Sequence, residues 1–149
     1  MIRKLAHLCF ITDDLERMRA FYAETLGLPV QFRFLNPEGE TFGYYFNCGD
    51  SSFIEIFDHV LVGKQWGHSQ EPLQGGSRYT HFCLEVTGMT ELKASLEAKG
   101  LEVGPIRSGM DRSLQCWTKD PDGNAIEFME YTHASLQIQR ELEGLRATA

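Results

Sequence analysis

The chain is written twice. His7-Leu8-Cys9-Phe10 leads into Asp14-Leu15-Glu16-Arg17-Met18-Arg19-Ala20 and ends at Leu26-Gly27-Leu28, and His81-Phe82-Cys83-Leu84 leads into Met89-Thr90-Glu91-Leu92-Lys93-Ala94 and ends at Gly100-Leu101. The echo resumes downstream, where Asp50-Ser51-Ser52-Phe53-Ile54-Glu55-Ile56-Phe57 aligns without a gap on Asp122-Gly123-Asn124-Ala125-Ile126-Glu127-Phe128-Met129. Solenoid repeats recur every ~20 to 50 residues, so a repeat of half the chain is duplication of one supersecondary module, not an array. Duplication explains a shared fold. It does not require each copy to keep an imidazole and a carboxylate at strand positions, where such groups must be solvated, paired or metal-bound.

Each copy reads as β-α-β-β-β. In the first, Leu5 to Ile11 suits a strand and Asp13 an N-cap, with Glu16 in the capping-box position. Leu15, Met18, Phe21, Tyr22 and Leu26 follow at helical spacing, and Gly27 supplies the stop. Strands are expected at Val30 to Leu35, Thr41 to Cys48 and Phe53 to Phe57, separated by turn residues. Asp58 to Ser77 reads as an irregular linker, in which Trp66 and His68 are available to a functional loop. The second copy has a strand at Tyr79 to Val86 and a helix through Met89, Leu92 and Leu96. Strands follow near Glu102 to Ile106, Ser113 to Lys119 and Ala125 to Tyr131, the last after the turn Asp120-Pro121-Asp122-Gly123. The expected organisation is α+β: residues 1–58 as first module, 59–77 as linker loop, 78–131 as second module, and 132–149 as a C-terminal helix and tail.

A net charge of −7 disfavours nucleic acid or an anionic membrane as partner, since both want a basic surface. The opening Met-Ile-Arg-Lys runs straight into strand-like sequence without a signal peptide's apolar region, and no apolar run of ~18 residues occurs, so the expected compartment is the cytoplasm. There Cys9, Cys48, Cys83 and Cys116, with no Cys-x-x-Cys pair, read as small hydrophobes. No nucleotide-binding glycine motif is present, so no organic cofactor is implied.

Alternation puts Phe53, Glu55 and Phe57 on one strand face, and Ala125, Glu127 and Met129 on another. Each glutamate thus sits among apolar neighbours, where an isolated carboxylate would be costly and a partner is expected. His7 shares its face with Leu5 and Cys9, and His81 with Tyr79 and Cys83. Two histidines and two carboxylates on four strands match what a borderline divalent metal takes in a catalytic site. The alternative is that the glutamates pair with nearby Arg or Lys and the histidines are ordinary core or edge residues.

With Phe21-Tyr22, Leu26-Gly27-Leu28 and the closing Asp120-Pro121-Asp122-Gly123-Asn124-Ala125-Ile126-Glu127, these four residues resemble the vicinal oxygen chelate superfamily, and within it the glyoxalase I branch (glyoxalase/bleomycin resistance/dioxygenase family). The resemblance spans about residues 3 to 131. It implies one compact domain over 1–131, with paired modules forming a cupped eight-stranded mixed sheet around one divalent ion (Ni, Zn, Co or Mn). It further implies a homodimer in which His7 and Glu55 of one subunit join His81 and Glu127 of the other. Members usually bind glutathione with an arginine soon after the first histidine and an asparagine soon after the first glutamate. Here those neighbourhoods read Leu8-Cys9-Phe10-Ile11 and Ile56-Phe57-Asp58-His59, which argues against a glutathione hemithioacetal.

The activity so implied is a metal-dependent lyase or isomerase, lactoylglutathione lyase-like, acting on a small α-hydroxycarbonyl or thiohemiacetal substrate. A proton is abstracted next to a carbonyl through a metal-bound enediolate. Glu127 is the expected base and Glu55 the group that returns the proton. Arg33, Arg112, Gln115 and Trp117 are candidate substrate contacts, Arg112 because its fork suits an anionic group. Two other readings remain open: an Fe(II) extradiol-type dioxygenase using His7, His81 and Glu127, and a non-catalytic small-molecule-binding protein.

Overall fold

The computed structural model describes residues 4–67 and 80–139, with only the backbone for 139. The chain divides into two units at Ser77/Arg78. The first holds β1 (His7–Thr12), α1 (Leu15–Arg19) continuing as a π-helical turn (Ala20–Thr25), β2 (Val30–Leu35), β3 (Thr41–Asn47), β4 (Phe53–Asp58) and α2 (His59–Trp66). The second holds β5 (His81–Glu85), α3 (Met89–Ala98), β6 (Arg107–Ser108), β7 (Leu114–Lys119), β8 (Ala125–Glu130) and a short α4 (Leu136–Gln139).

The expected eight strands form as two four-stranded mixed sheets, ordered β1-β4-β3-β2 and β5-β8-β7-β6. In each, the first and last strands of the module run parallel and the others antiparallel. Even the register is duplicated: His7 lies opposite Phe53 and Cys9 opposite Glu55, as His81 lies opposite Ala125 and Cys83 opposite Glu127. The gapless alignment of the two copies is therefore a structural equivalence.

In the first unit Tyr44, Phe46, Ile54 and Ile56 turn to α1, where Leu15, Met18, Phe21 and Tyr22 are buried against that face. Tyr44 donates its hydroxyl to Glu16 Oε1 at 2.6 Å, and the Tyr22 and Phe46 rings meet at 5.5 Å. In the second unit Phe82, Cys116, Ile126 and Phe128 do the same for α3, with Cys116 Sγ 3.2 Å from Met89 Sδ. Because each helix covers one sheet face, the alternate residues, including both His-Glu sets, are left for the other.

Several local expectations are corrected. Asp14, not Asp13, caps α1, accepting Arg17 N at 3.0 Å. Glu16 therefore does not close a capping box; it is held by Tyr44 and Arg19. Residues 59–66, read as linker, form α2: Asp58 caps it through Leu61 N at 2.8 Å, and Val62 packs on Phe42 and Phe57. Glu102 to Ile106, expected as a strand, does not form one, since Pro105 has no N–H for the ladder, and only the two-residue β6 follows it. The stretch before β6 is still tied to β7 by Gly104 N donating to Trp117 O. Tyr79, His68 and the tail beyond 139 lie outside the described residues. Among those described, no helix is long and apolar enough to cross a membrane.

α3 begins at Gly88, with φ +69° and no side-chain cap of its own. Its orphan donors are taken instead by Glu130 at the end of β8, which accepts Gly88 N at 2.8 Å and Met89 N at 3.0 Å. Those two bonds hold the Glu130 carboxyl below its ordinary range. A carboxylate with a depressed folded-state pKa stabilises the fold fully above its unfolded value and loses that contribution as pH falls through the folded one. Glu130→Ala is accordingly expected to melt below the parent at neutral pH, with the gap closing in acid. Melting curves from pH 7 to pH 3 check this, and a gap independent of pH would contradict it.

Candidate metal centre

In the first unit the face opposite α1 carries His7 and Cys9 from β1, Phe53, Glu55 and Phe57 from β4, and Asn47 and Tyr45 from β3. Glu55 lies directly between Cys9 and Tyr45 in the register. Its Oε2 is 3.7 Å from His7 Nε2, and its side chain is 14% exposed against 44% for the imidazole. The second unit repeats the plan with Cys83, Glu127 and Trp117 in one row. His81 Nε2 is 3.2 Å from Glu127 Oε2, with side-chain exposures of 35% and 7%. In both units the carboxylate is sunk into the sheet and the imidazole forms the accessible wall beside it.

Both histidines turn Nε2 to the carboxylate because Nδ1 is engaged elsewhere. Tyr45 Oη lies 3.0 Å from His7 Nδ1, and Thr80 Oγ1 3.0 Å from His81 Nδ1. Aromatic edges fix the rings from a second direction: His7 meets Tyr45 at 5.8 Å, and His81 meets Trp117 at 4.7 Å, both T-shaped. Desolvation and then the charge of Glu55 raise the Tyr45 phenol, so it stays protonated at neutral pH.

The cysteines of these rows do more than fill space. Desolvation, then a hydrogen bond to Glu55, pushes the Cys9 thiol up to about 12; desolvation, then the charge of Glu127, pushes Cys83 up to about 12. Both are thiols at neutral pH and poor nucleophiles.

Nε2 and Oε2 atoms bound to one ion at about 2.0 to 2.2 Å lie ~3 Å apart, close to the 3.2 and 3.7 Å of the two pairs. Two neutral imidazoles and two carboxylates also balance a dication, so the donor chemistry fits. Each unit supplies half of such a set. Among the described residues no three His, Cys, Asp or Glu side chains gather closely enough to hold an ion.

The four candidate substrate contacts divide. Gln115 and Trp117 lie on the Glu127 face, Trp117 opposite Glu127 and donating Nε1 to Gln115 Oε1 at 3.4 Å. Arg107, which sequence reasoning missed, pairs with Gln115 on that face. Arg112 is at the β6–β7 turn with φ +68°, its carbonyl accepting Thr132 Oγ1 at 2.9 Å, beside an Asp111 carboxylate held by Gln137 and Ser113. Arg33 is not on the site face: it pairs with Tyr44, whose hydroxyl reaches α1, so strand alternation puts it on the helix side. Tyr45 and Phe32 take the places beside His7 and Glu55 instead, their rings stacked at 4.7 Å.

The description of the Glyoxalase/Bleomycin resistance protein/Dioxygenase superfamily matches residues 4–128. A lactoylglutathione lyase of Salmonella typhimurium is 25% identical over 131 residues, covering 85% of this chain and 92% of the relative. One of Neisseria meningitidis serogroup B is 26% identical over 131 residues, covering 85% and 90%. Among solved structures, lactoylglutathione lyase from Agrobacterium tumefaciens aligns with TM-score 0.63 at 25% identity over 85% of this chain and 92% of its own. A glyoxalase family protein from Enterococcus faecalis aligns with TM-score 0.66 at 23% identity over 86% and 98%, a likeness of fold. With its duplicated modules, its two mixed sheets and a match over most of its length, the chain belongs to the glyoxalase/bleomycin resistance protein/dioxygenase superfamily.

Proposed function

We propose that the protein is a divalent-metal-dependent lyase or isomerase of the glyoxalase I type, with His7, Glu55, His81 and Glu127 as ligands of a Ni, Zn, Co or Mn ion. The observation that carries this reading is the twofold pairing of an imidazole Nε2 with a sunken carboxylate, at one register and on the sheet face opposite α1 in the first unit and α3 in the second. Neither pair alone makes a metal site, so the reading joins one pair from each unit. Relatives named lactoylglutathione lyase support the chemistry. The substrate we favour is a small α-hydroxycarbonyl or thiohemiacetal compound rather than the glutathione adduct, because Leu8 to Ile11 and Ile56 to His59 offer neither the arginine nor the asparagine that glutathione-binding members use.

A bound dication supplies Lewis-acid polarisation of the substrate carbonyl, which acidifies the neighbouring carbon. Glu127 takes that proton: its carboxylate is the more deeply sunk of the two, and Trp117 and Cys83 flank it in the sheet. Glu55 returns a proton from the other pair. His7 and His81 hold their places through Tyr45 and Thr80. Gln115, Trp117 and Arg107 line the Glu127 face and orient the substrate. General acid-base catalysis of this kind contributes typically ~10² to 10⁴-fold.

The metal reading predicts that purified protein carries a divalent ion and that its melting temperature falls on chelation, since a ligand present at 100 times Kd stabilises by about 2.7 kcal/mol. Elemental analysis finding none, with no melting shift on adding Ni, Zn, Co or Mn, would sink it. We further propose a homodimer whose two sites each combine the first unit of one subunit with the second unit of the other. Mixing inactive His7→Ala and Glu127→Ala subunits should then restore activity, because both lesions fall in one site and leave the other intact. No recovery after demonstrated subunit exchange would place each site within a single chain. Glu127→Gln, nearly isosteric, should keep most metal while losing ~10²-fold or more in kcat. Unchanged exchange of the substrate α-proton with solvent would put the base elsewhere, with Glu55 next.

A further inference from the structure

The hydroxyls that hold the two site histidines have different origins. Thr80 adjoins His81 in sequence, whereas the oxygen on His7 comes from Tyr45 on β3, reaching across β4. Tyr45 is itself clamped. Its ring stacks on Phe32 at 4.7 Å with 17° between planes and leans on Phe53 at 4.9 Å, and its backbone is opposite Glu55. The phenol therefore cannot swing away from His7 without displacing two aromatic neighbours. Thr80 Oγ1, one residue from its histidine, has no such ring clamp among the described contacts.

A neutral imidazole carries one proton, and a ring that offers Nε2 to a metal must carry it on Nδ1. We propose that Tyr45 is the positioning residue for His7, its hydroxyl oxygen accepting Nδ1–H and thereby holding the Nε2 lone pair toward the ion. This rests on the metal reading above. A phenol serves both stages of loading: it donates to Nδ1 while Nε2–H faces Glu55, and accepts once Nε2 is ligated, so the ring keeps its place throughout. Groups of this kind behind a ligating histidine alter metal affinity by about 10- to 100-fold.

The test titrates the full-length parent and Tyr45→Phe with Zn(II) and follows the His7 Nδ1–H by nitrogen-15 NMR in the zinc-loaded proteins. The expected result is a 10- to 100-fold weaker Kd for Tyr45→Phe. The His7 Nδ1–H should exchange faster with water while that of His81 stays unchanged, a local signature that general loosening of the fold does not give. Phe32→Leu, which loosens the clamp and keeps the hydroxyl, should weaken binding less, and it serves in place of Tyr45→Phe should that variant not fold. Equal Kd and equal Nδ1–H protection in parent and variant would overturn the role of Tyr45 while leaving the metal reading intact. A parent that binds no zinc would overturn both.

Discussion

A carboxylate sunk into a β-sheet needs a cation, and that requirement organises both halves of this molecule. Glu55 and Glu127 occupy central rows of their sheets, with side-chain exposures of only 14% and 7%. Leaving such a group without a partner costs roughly 1 to 3 kcal/mol, and more for a charge. Each glutamate has a cysteine opposite it in the register and an imidazole nitrogen at 3.2 to 3.7 Å, but no lysine or arginine bridges to it among the described ion pairs. Local pairing of this sort is satisfied by a protonated histidine or by a metal ion, and the function proposed above takes the second.

The rest of the fold serves this placement. One helix per unit, α1 in the first and α3 in the second, closes one sheet face, through Met18 and Tyr22 and through Met89 and Leu96, which leaves both His-Glu pairs on the opposite face. The parallel pairing of first and last strands sets histidine and glutamate side by side, since residues opposite each other in register share a face. At one end of the first sheet α2 packs Val62 and Trp66 on Phe57, Phe42 and Phe34, giving the site face an apolar flank. The second sheet answers with Trp117 against His81 and Gln115 beyond it. Two copies of one scaffold thus present the same pair of residue types, an imidazole beside a carboxylate, with different surroundings.

Much of this was legible in the chain itself. Alternation along Phe53 to Phe57 and Ala125 to Met129 fixes which residues share a face, and the repeat identifies the equivalent strands, so the βαβββ order and the His-Glu rows follow from local rules, while the family was legible as a resemblance of motifs. What escaped depends on contacts that are distant in sequence or on competing neighbours. Adjacent Asp13 and Asp14 are equally good caps by composition, and geometry alone chose the second. The stretch His59-Val60-Leu61-Val62-Gly63 has β-branched residues and a glycine, poor helix formers, and became helical through the Asp58 cap and the packing of Val62. Arg33, a candidate substrate contact, lies on the helix side because an irregularity between Val30 and Phe32 resets the alternation of β2. Tyr45 and Arg107 went unnoticed since only cross-strand register puts them beside Glu55 and Gln115.

The central claim is that the two pairs act together as one set of ligands. X-ray absorption at the metal edge of protein loaded with Zn(II) or Ni(II) counts ligand types directly, because imidazole rings give characteristic multiple-scattering features. Our account predicts two imidazoles and carboxylate oxygens around one ion, with one imidazole lost in His7→Ala and the other lost in His81→Ala. A first shell with a single histidine, or one unaltered by either substitution, would contradict it.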